Sequence, residues 1–152
     1  MPNTSSRFNK GITAIYNISA SKSTQKKVAL LFKKVGIILE MQKESHMDDF
    51  TGLIGSGPAY FFFLLQVYEK RIMKISNGDL EKKNLIISNL LDGVSKSIGS
   101  GETIEALIKA VASKKGTTEA GIKSFQSSQV LKSFDKGIAA AIKRSKEISS
   151  EF

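Results

Sequence analysis

The run Ser113-Lys114-Lys115-Gly116-Thr117-Thr118 is the densest set of chemically useful groups in the chain. Three hydroxyls, two ammonium groups and a glycine stand between an apolar run ending at Val111 and a helical segment that begins with Glu119. Hydroxyls and free N–H groups at a helix start can grip an anion such as a carboxylate. Lys114 and Lys115 would raise the local potential. The same spacing fits an ordinary corner between two helices, with Thr117 or Thr118 as cap and Glu119 in the first turn. Spacing alone favours that plainer reading.

Other chemistries are narrowed by composition. There is no cysteine, so disulfides, thiolate metal sites and cysteine nucleophiles are excluded. The single histidine, His46, rules out a histidine metal cluster or dyad, and its position suits a surface site or the opening of a helix. Asp48 and Asp49 read as helix N-terminal acids rather than a catalytic pair. Any chemistry must then come from hydroxyls, amides, lysines or a bound cofactor; no metal is expected. The net charge of +9 comes from 20 lysines and only three arginines. The lysines form scattered pairs (Lys26-Lys27, Lys33-Lys34, Lys82-Lys83) with no basic stripe. A solvated surface, not a nucleic-acid footprint, is therefore expected.

A second stretch, Gly55 to Leu65 (GSGPAYFFFLL), has two glycines and a proline before a run with almost no polar atoms. Pro58 suits a first helical turn, and Ser56 or Gly57 can cap it. The spacing is neither G-x-G-x-x-G nor a P-loop, so a capped helix start is favoured over a ligand loop. Tyr60 to Leu65 cover every azimuth of a helix. A small bundle can hardly surround such a helix, which predicts burial by a second subunit. The apolar run Ala59–Leu65 falls short of the roughly 20 residues of a membrane span. The N-terminus lacks the apolar segment of a secretory signal. A soluble cytoplasmic protein is expected, with no membrane partner.

The elements that must position these residues follow from periodicity. Gly11 to Asn17 reads as a strand. The segment around Val28, Leu31, Phe32 and Val35 reads as a helix stopped by Gly36, and Ile37 to Glu40 as a second, fully buried strand. From Met47 onward all patterns are helical: Asp79 to Ser97, Thr103 to Ala112, a short helix from about Thr117, and a long last one through Val130, Phe134, Ile138 and Ile142. The expected fold is mainly α, a small α/β remnant followed by a helical bundle.

Four segments occur in order: MPNT then GITAIY, TGLIGSGPAYFF, VASKKGTTEAGI and the closing AAAIKRSKEI. Together they resemble pyrroline-5-carboxylate reductase over essentially the whole chain. The resemblance implies that residues 1–45 are the tail of a Rossmann-type dinucleotide-binding domain. Residues 46–152 would be the helical dimerisation and substrate-binding domain. It implies NADP or NAD as cofactor, with the main binding loop absent from this chain. It also implies a homodimer, with higher assembly left open, and pyrroline-5-carboxylate as substrate.

By the same resemblance, Ser113, Gly116 and Thr117 form a carboxylate-binding turn, and Thr118, the catalytic residue, hydrogen-bonds the ring nitrogen. Ser56 and Gly57 border the pocket, and Met1, Pro2 and Asn3 lie beside the nicotinamide. The chain departs from the family at three points. Lys114-Lys115 replace a Pro-Gly pair, so Lys115 is strained if its position needs φ > 0. Ser5 replaces a proline, and Asp92 stands where a small residue usually packs. The expectation is an N-terminally truncated reductase with little activity alone. Its alternative is a non-catalytic homodimerisation module derived from that family.

Overall fold

A computed structural model describes residues 1–16 and 19–151. The chain begins with a 3-10 turn, Thr4–Phe8, and strand β1, Gly11–Ile15. Helix α1, Lys22–Lys33, then leads to β2, Gly36–Glu40. The two strands are parallel, with Gly11 opposite Gly36 and Ile15 opposite Glu40. Ser21 caps α1 by accepting the Thr24 N–H at 3.2 Å. The strand expected to reach Asn17 ends at Ile15, and Asn17 lies outside the described residues.

Gly36 does not stop α1, which ends at Lys33 with Lys34 as its C-cap; it opens β2 instead. Its φ is 154°, and a Cβ there would strike the Gly11 backbone, so only glycine permits this strand pairing. The second strand is also not fully buried: Ile37 and Leu39 are exposed. A two-stranded sheet covers one edge of β2 and leaves the other without a neighbour among the described residues.

The helices run in the order α2 (His46–Phe50), α3 (Gly57–Ile75), α4 (Leu80–Ile98), α5 (Ile104–Val111), α6 (Thr117–Ser127) and α7 (Val130–Ser149). Asp79 caps α4 through the Lys82 N–H at 2.9 Å, and Thr103 caps α5 through the Ala106 N–H at 3.2 Å. These caps fix the two helix starts within a residue of where the apolar pattern puts them.

The chain divides into two compact units. One holds Met1–Phe62 and Phe134–Phe152, the other Phe63–Ser133. In the first, α2 lies beside the C-terminal part of α7. Asp48 accepts hydrogen bonds from the Ser145 and Ser149 hydroxyls, both at 2.8 Å. In the second, buried Lys83 on α4 pairs with Glu69 on α3 at 2.5 Å.

Pro58 stands in the first turn of α3, as expected, but Ser56 before it keeps a right-handed helical backbone instead of the extended geometry of a cap. A five-residue π-helical turn, Thr51–Gly55, joins α2 to α3, and the Ser56 N–H reaches back to the Thr51 carbonyl at 3.0 Å. Proline within a regular helix lacks a donor and clashes with the carbonyl four residues back. The wider turn removes that conflict, and Pro58 opens the next regular stretch. The turn also brings Gly52 onto α7. A Cβ at Gly52 would lie 2.5 Å from Ile142 Cγ1 and 2.7 Å from its backbone nitrogen. Tyr60 closes the turn by donating to the Gly52 carbonyl at 2.7 Å, and its ring packs edge-on against Phe134.

The continuous helical run His46–Ile75 is long and apolar enough to cross a membrane by length and composition. Ala59–Leu65 alone falls short of that length, but no charge lies between Asp49 and Glu69. Within one chain, Phe61, Phe62 and Phe63 remain 60%, 68% and 69% exposed. The all-round apolar helix is thus uncovered in the single chain.

Gly52→Ala is expected to destabilise the chain by about 1–3 kcal/mol, because the backbone of α7 cannot yield as a side-chain tip can. Chemical denaturation of the variant beside the parent measures it.

Candidate functional site

The turn between α5 and α6 is built by two local constraints. The Gly116 N–H donates to the Ser113 carbonyl at 3.0 Å, closing the turn over Lys114 and Lys115. Lys115 takes a left-handed φ of 58°. Side chains seldom adopt this conformation, which costs about 1–2 kcal/mol relative to the right-handed one. Gly116 sits so close to Ser113 that a Cβ would collide with the Ser113 hydroxyl. The hydroxyl can rotate away, but the Ser113 carbonyl oxygen would still lie 3.0 Å from that Cβ, so glycine is favoured here by proximity, not by φ.

Gly116 is the N-cap of α6 and makes no side-chain cap, so neither Thr117 nor Thr118 caps the helix. They are its first two residues. Among the described residues the N–H groups of Thr117, Thr118 and Glu119 find no acceptor, and the hydroxyls of Ser113, Thr117 and Thr118 find no partner. Thr118 is half-buried, while Ser113 and Thr117 are exposed. The turn thus gathers four predicted site residues and leaves the hydroxyls of three of them, Ser113, Thr117 and Thr118, open. Such an arrangement suits an anion, drawn further by the positive end of the helix.

Glu119 was legible only as a first-turn acid, yet it organises the turn. One carboxylate oxygen accepts the Lys115 N–H at 2.5 Å, and the other pairs with Lys123 at 2.6 Å. The hydrogen bond from Lys123, and then that from the Lys115 backbone, hold its pKa below the ordinary glutamate value.

The remaining predicted residues lie in the other unit and are described there. Met1 to Asn3 run antiparallel to β1, with a bridge between Pro2 and Thr13. The Asn3 side chain accepts the Ile12 N–H at 3.0 Å, and its own N–H donates to the Ile12 carbonyl at 3.2 Å. This two-way staple leaves the Asn3 side-chain amide nitrogen without a partner among the described residues. Ser56 and Gly57 follow the π-turn, Gly57 buried and Ser56 half-buried. Met1 reaches the same turn, where the Thr51 hydroxyl approaches its sulfur at 3.6 Å. Asp92 lies on the exposed face of α4 and pairs with Lys96 at 2.6 Å. No group of three His, Cys, Asp or Glu among the described residues could hold a metal ion.

The fold and this turn define a mainly α protein with a short α/β lead. Residues 44–148 match the family model described as pyrroline-5-carboxylate reductase dimerisation. The chain belongs to the pyrroline-5-carboxylate reductase family. It is 35% identical over 152 residues to pyrroline-5-carboxylate reductase 1 of Bacillus spizizenii, covering 99% of this chain and 51% of that protein. It is 32% identical to the Pseudomonas aeruginosa pyrroline-5-carboxylate reductase, over 99% of this chain and 56% of the relative.

Among solved structures, the Coxiella burnetii pyrroline-5-carboxylate reductase superposes with a TM-score of 0.83 at 26% identity, covering 97% of this chain and 55% of that one. A Plasmodium falciparum pyrroline carboxylate reductase with NADP bound gives 0.82 at 27%, covering 97% and 60%. The chain therefore spans about half the length of the curated relatives it matches.

Because the carboxylate of Glu119 is stabilised, its contribution to the turn is fully present above the ordinary glutamate pKa. It is lost as pH falls through the lowered value. An NMR acid titration should show the Lys115 amide signal moving below the ordinary glutamate range, and Glu119→Gln should abolish that movement.

Proposed function

We propose that this chain supplies the substrate-binding and dimer-forming part of a pyrroline-5-carboxylate reductase, which reduces the cyclic imine to L-proline with NADPH or NADH. The observation that carries the reading is the α5–α6 turn, with its open hydroxyls and free first-turn N–H groups. A small ring bearing one carboxylate suits that set of donors. The N–H groups of Thr117 and Thr118, with the Ser113 and Thr117 hydroxyls, take the carboxylate. Gly116 keeps the backbone bare enough for a close approach. The Thr118 hydroxyl hydrogen-bonds the ring nitrogen, and Ser56 and Gly57 are assigned to the pocket border.

The dinucleotide, when bound, supplies the hydride that goes to the carbon of the C=N bond. Thr118 holds the nitrogen as its charge changes, and no covalent nucleophile is needed. Met1, Pro2 and Asn3 are assigned to the nicotinamide side. The free amide nitrogen of Asn3 fits that role, since its carbonyl oxygen is already committed to Ile12. No G-x-G-x-x-G sequence occurs in the chain, so the phosphate-binding part of the cofactor site is assigned to other residues.

In this reading residues 1–45 are the end of the dinucleotide-binding domain, and 46–152 the dimerisation domain of a cytoplasmic homodimer. The exposed aromatics of α3 support a second copy as their cover, each burial contributing about 1.5–3 kcal/mol.

Followed by NADPH oxidation in a chain carrying any upstream extension of its reading frame, Thr118→Ala should lower kcat/KM roughly tenfold or more, the loss of one hydrogen bond to a charged group. Unchanged activity would refute the assignment of Thr118; absence of activity in the parent would favour a non-catalytic dimerisation module. By sedimentation velocity, the parent chain should run as a dimer, and Phe62→Glu as a monomer.

A further inference from the structure

Lys115 carries a conformation that glycine adopts freely and lysine does not, directly before the residues assigned to the substrate carboxylate. Something must hold it there, and one side chain does. The Glu119 carboxylate accepts the Lys115 N–H, spanning the turn from the first turn of α6, while Lys123 steadies the same carboxylate from one turn further on.

Taking the Lys115 N–H has two consequences. It fixes the peptide between Lys114 and Lys115, so that the Gly116 N–H can close onto the Ser113 carbonyl. It also removes one competing donor, leaving the N–H groups of Thr117 and Thr118 as the open pair. The negative charge of Glu119 would by itself repel an incoming carboxylate, but Lys123 at 2.6 Å offsets it.

We propose that Glu119 is a positioning residue of the substrate turn, holding Lys115 in its left-handed conformation so that Ser113, Gly116, Thr117 and Thr118 are pre-arranged for the substrate carboxylate. This rests on the reading of the turn given above. Glu119 touches no reacting atom. Its role is to make a non-glycine turn as well ordered as a glycine one.

The test is a double-mutant cycle with a conservative control, read in the protein with any upstream extension of its reading frame. Glu119→Ala should raise KM for pyrroline-5-carboxylate roughly five- to thirtyfold, the factor matching the conformational cost at Lys115, with a smaller change in kcat. Glu119→Gln keeps an acceptor for the Lys115 N–H and should stay within about twofold of the parent. Lys115→Gly removes the need for the brace, so the Lys115→Gly/Glu119→Ala double variant should recover most of the lost KM.

A parent-like or lowered KM in Glu119→Ala would overturn the proposal, because Glu119 would then be a bystander or a repelling charge. So would a double variant as impaired as Glu119→Ala alone. A parent without measurable reduction would overturn the reading of the whole site. In that case the cycle is read on thermal stability, where additive effects of the two substitutions would dispose of the brace as well.

Discussion

The contact between Gly52 and Ile142 governs much of the unit to which it belongs. The backbone of the π-helical turn comes so close to α7 that a Gly52 side chain would meet both the Ile142 side chain and its backbone. Such an approach is open only to glycine, and only where the helix is wide enough to present that residue sideways. The same widening lets Pro58 stand in an otherwise unbroken helical run. It also frees the Gly52 carbonyl for the Tyr60 hydroxyl. Asp48 reinforces the arrangement one turn earlier, taking two serine hydroxyls from α7. Helix α2, the turn that follows it and α7 are thus joined by polar and backbone contacts as much as by apolar ones.

Element types and helix positions were legible because they rest on local chemistry. Asp79 and Thr103 announce the starts of α4 and α5, and Ile87, Leu91, Val94 and Ile98 mark a face of α4. The π-turn was not legible. TGLIGSGP holds three glycines and a proline, which read as a loop as readily as a widened helix. The choice is made by α7, whose Ile142 lies 90 residues beyond Gly52 in sequence. The burial of β2 was misjudged for a related reason. An apolar run records the surroundings a strand evolved in, and a two-stranded sheet does not provide them.

The candidate site was readable as a cluster but not as a geometry. Ser113, Gly116, Thr117 and Thr118 are adjacent in sequence, so any tight turn gathers them. The conditional expectation that Lys115 is strained is met by its φ of 58°. The cap was misassigned, because Thr117 and Thr118 each resemble an N-cap and the pattern cannot tell which residue has left the helix. Gly116 takes that place, with an extended backbone and the Ser113 carbonyl close against it. The brace from Glu119 depends on a left-handed backbone that no propensity assigns to lysine.

One edge of β2 carries backbone groups that no other described strand satisfies, and Ile37 and Leu39 stand exposed beside it. An open apolar edge is a template onto which further strands can add, including the same edge of another molecule. What opposes this is colloidal: a net charge of +9 on 152 residues keeps molecules apart at low ionic strength. Salt shortens the range of that repulsion to about 10 Å at 0.1 M without weakening the attraction. The lysine-rich surface, which has no role in the turn chemistry beyond Lys114, Lys115 and Lys123, thereby supplies the repulsion that opposes pairing at that edge of this chain.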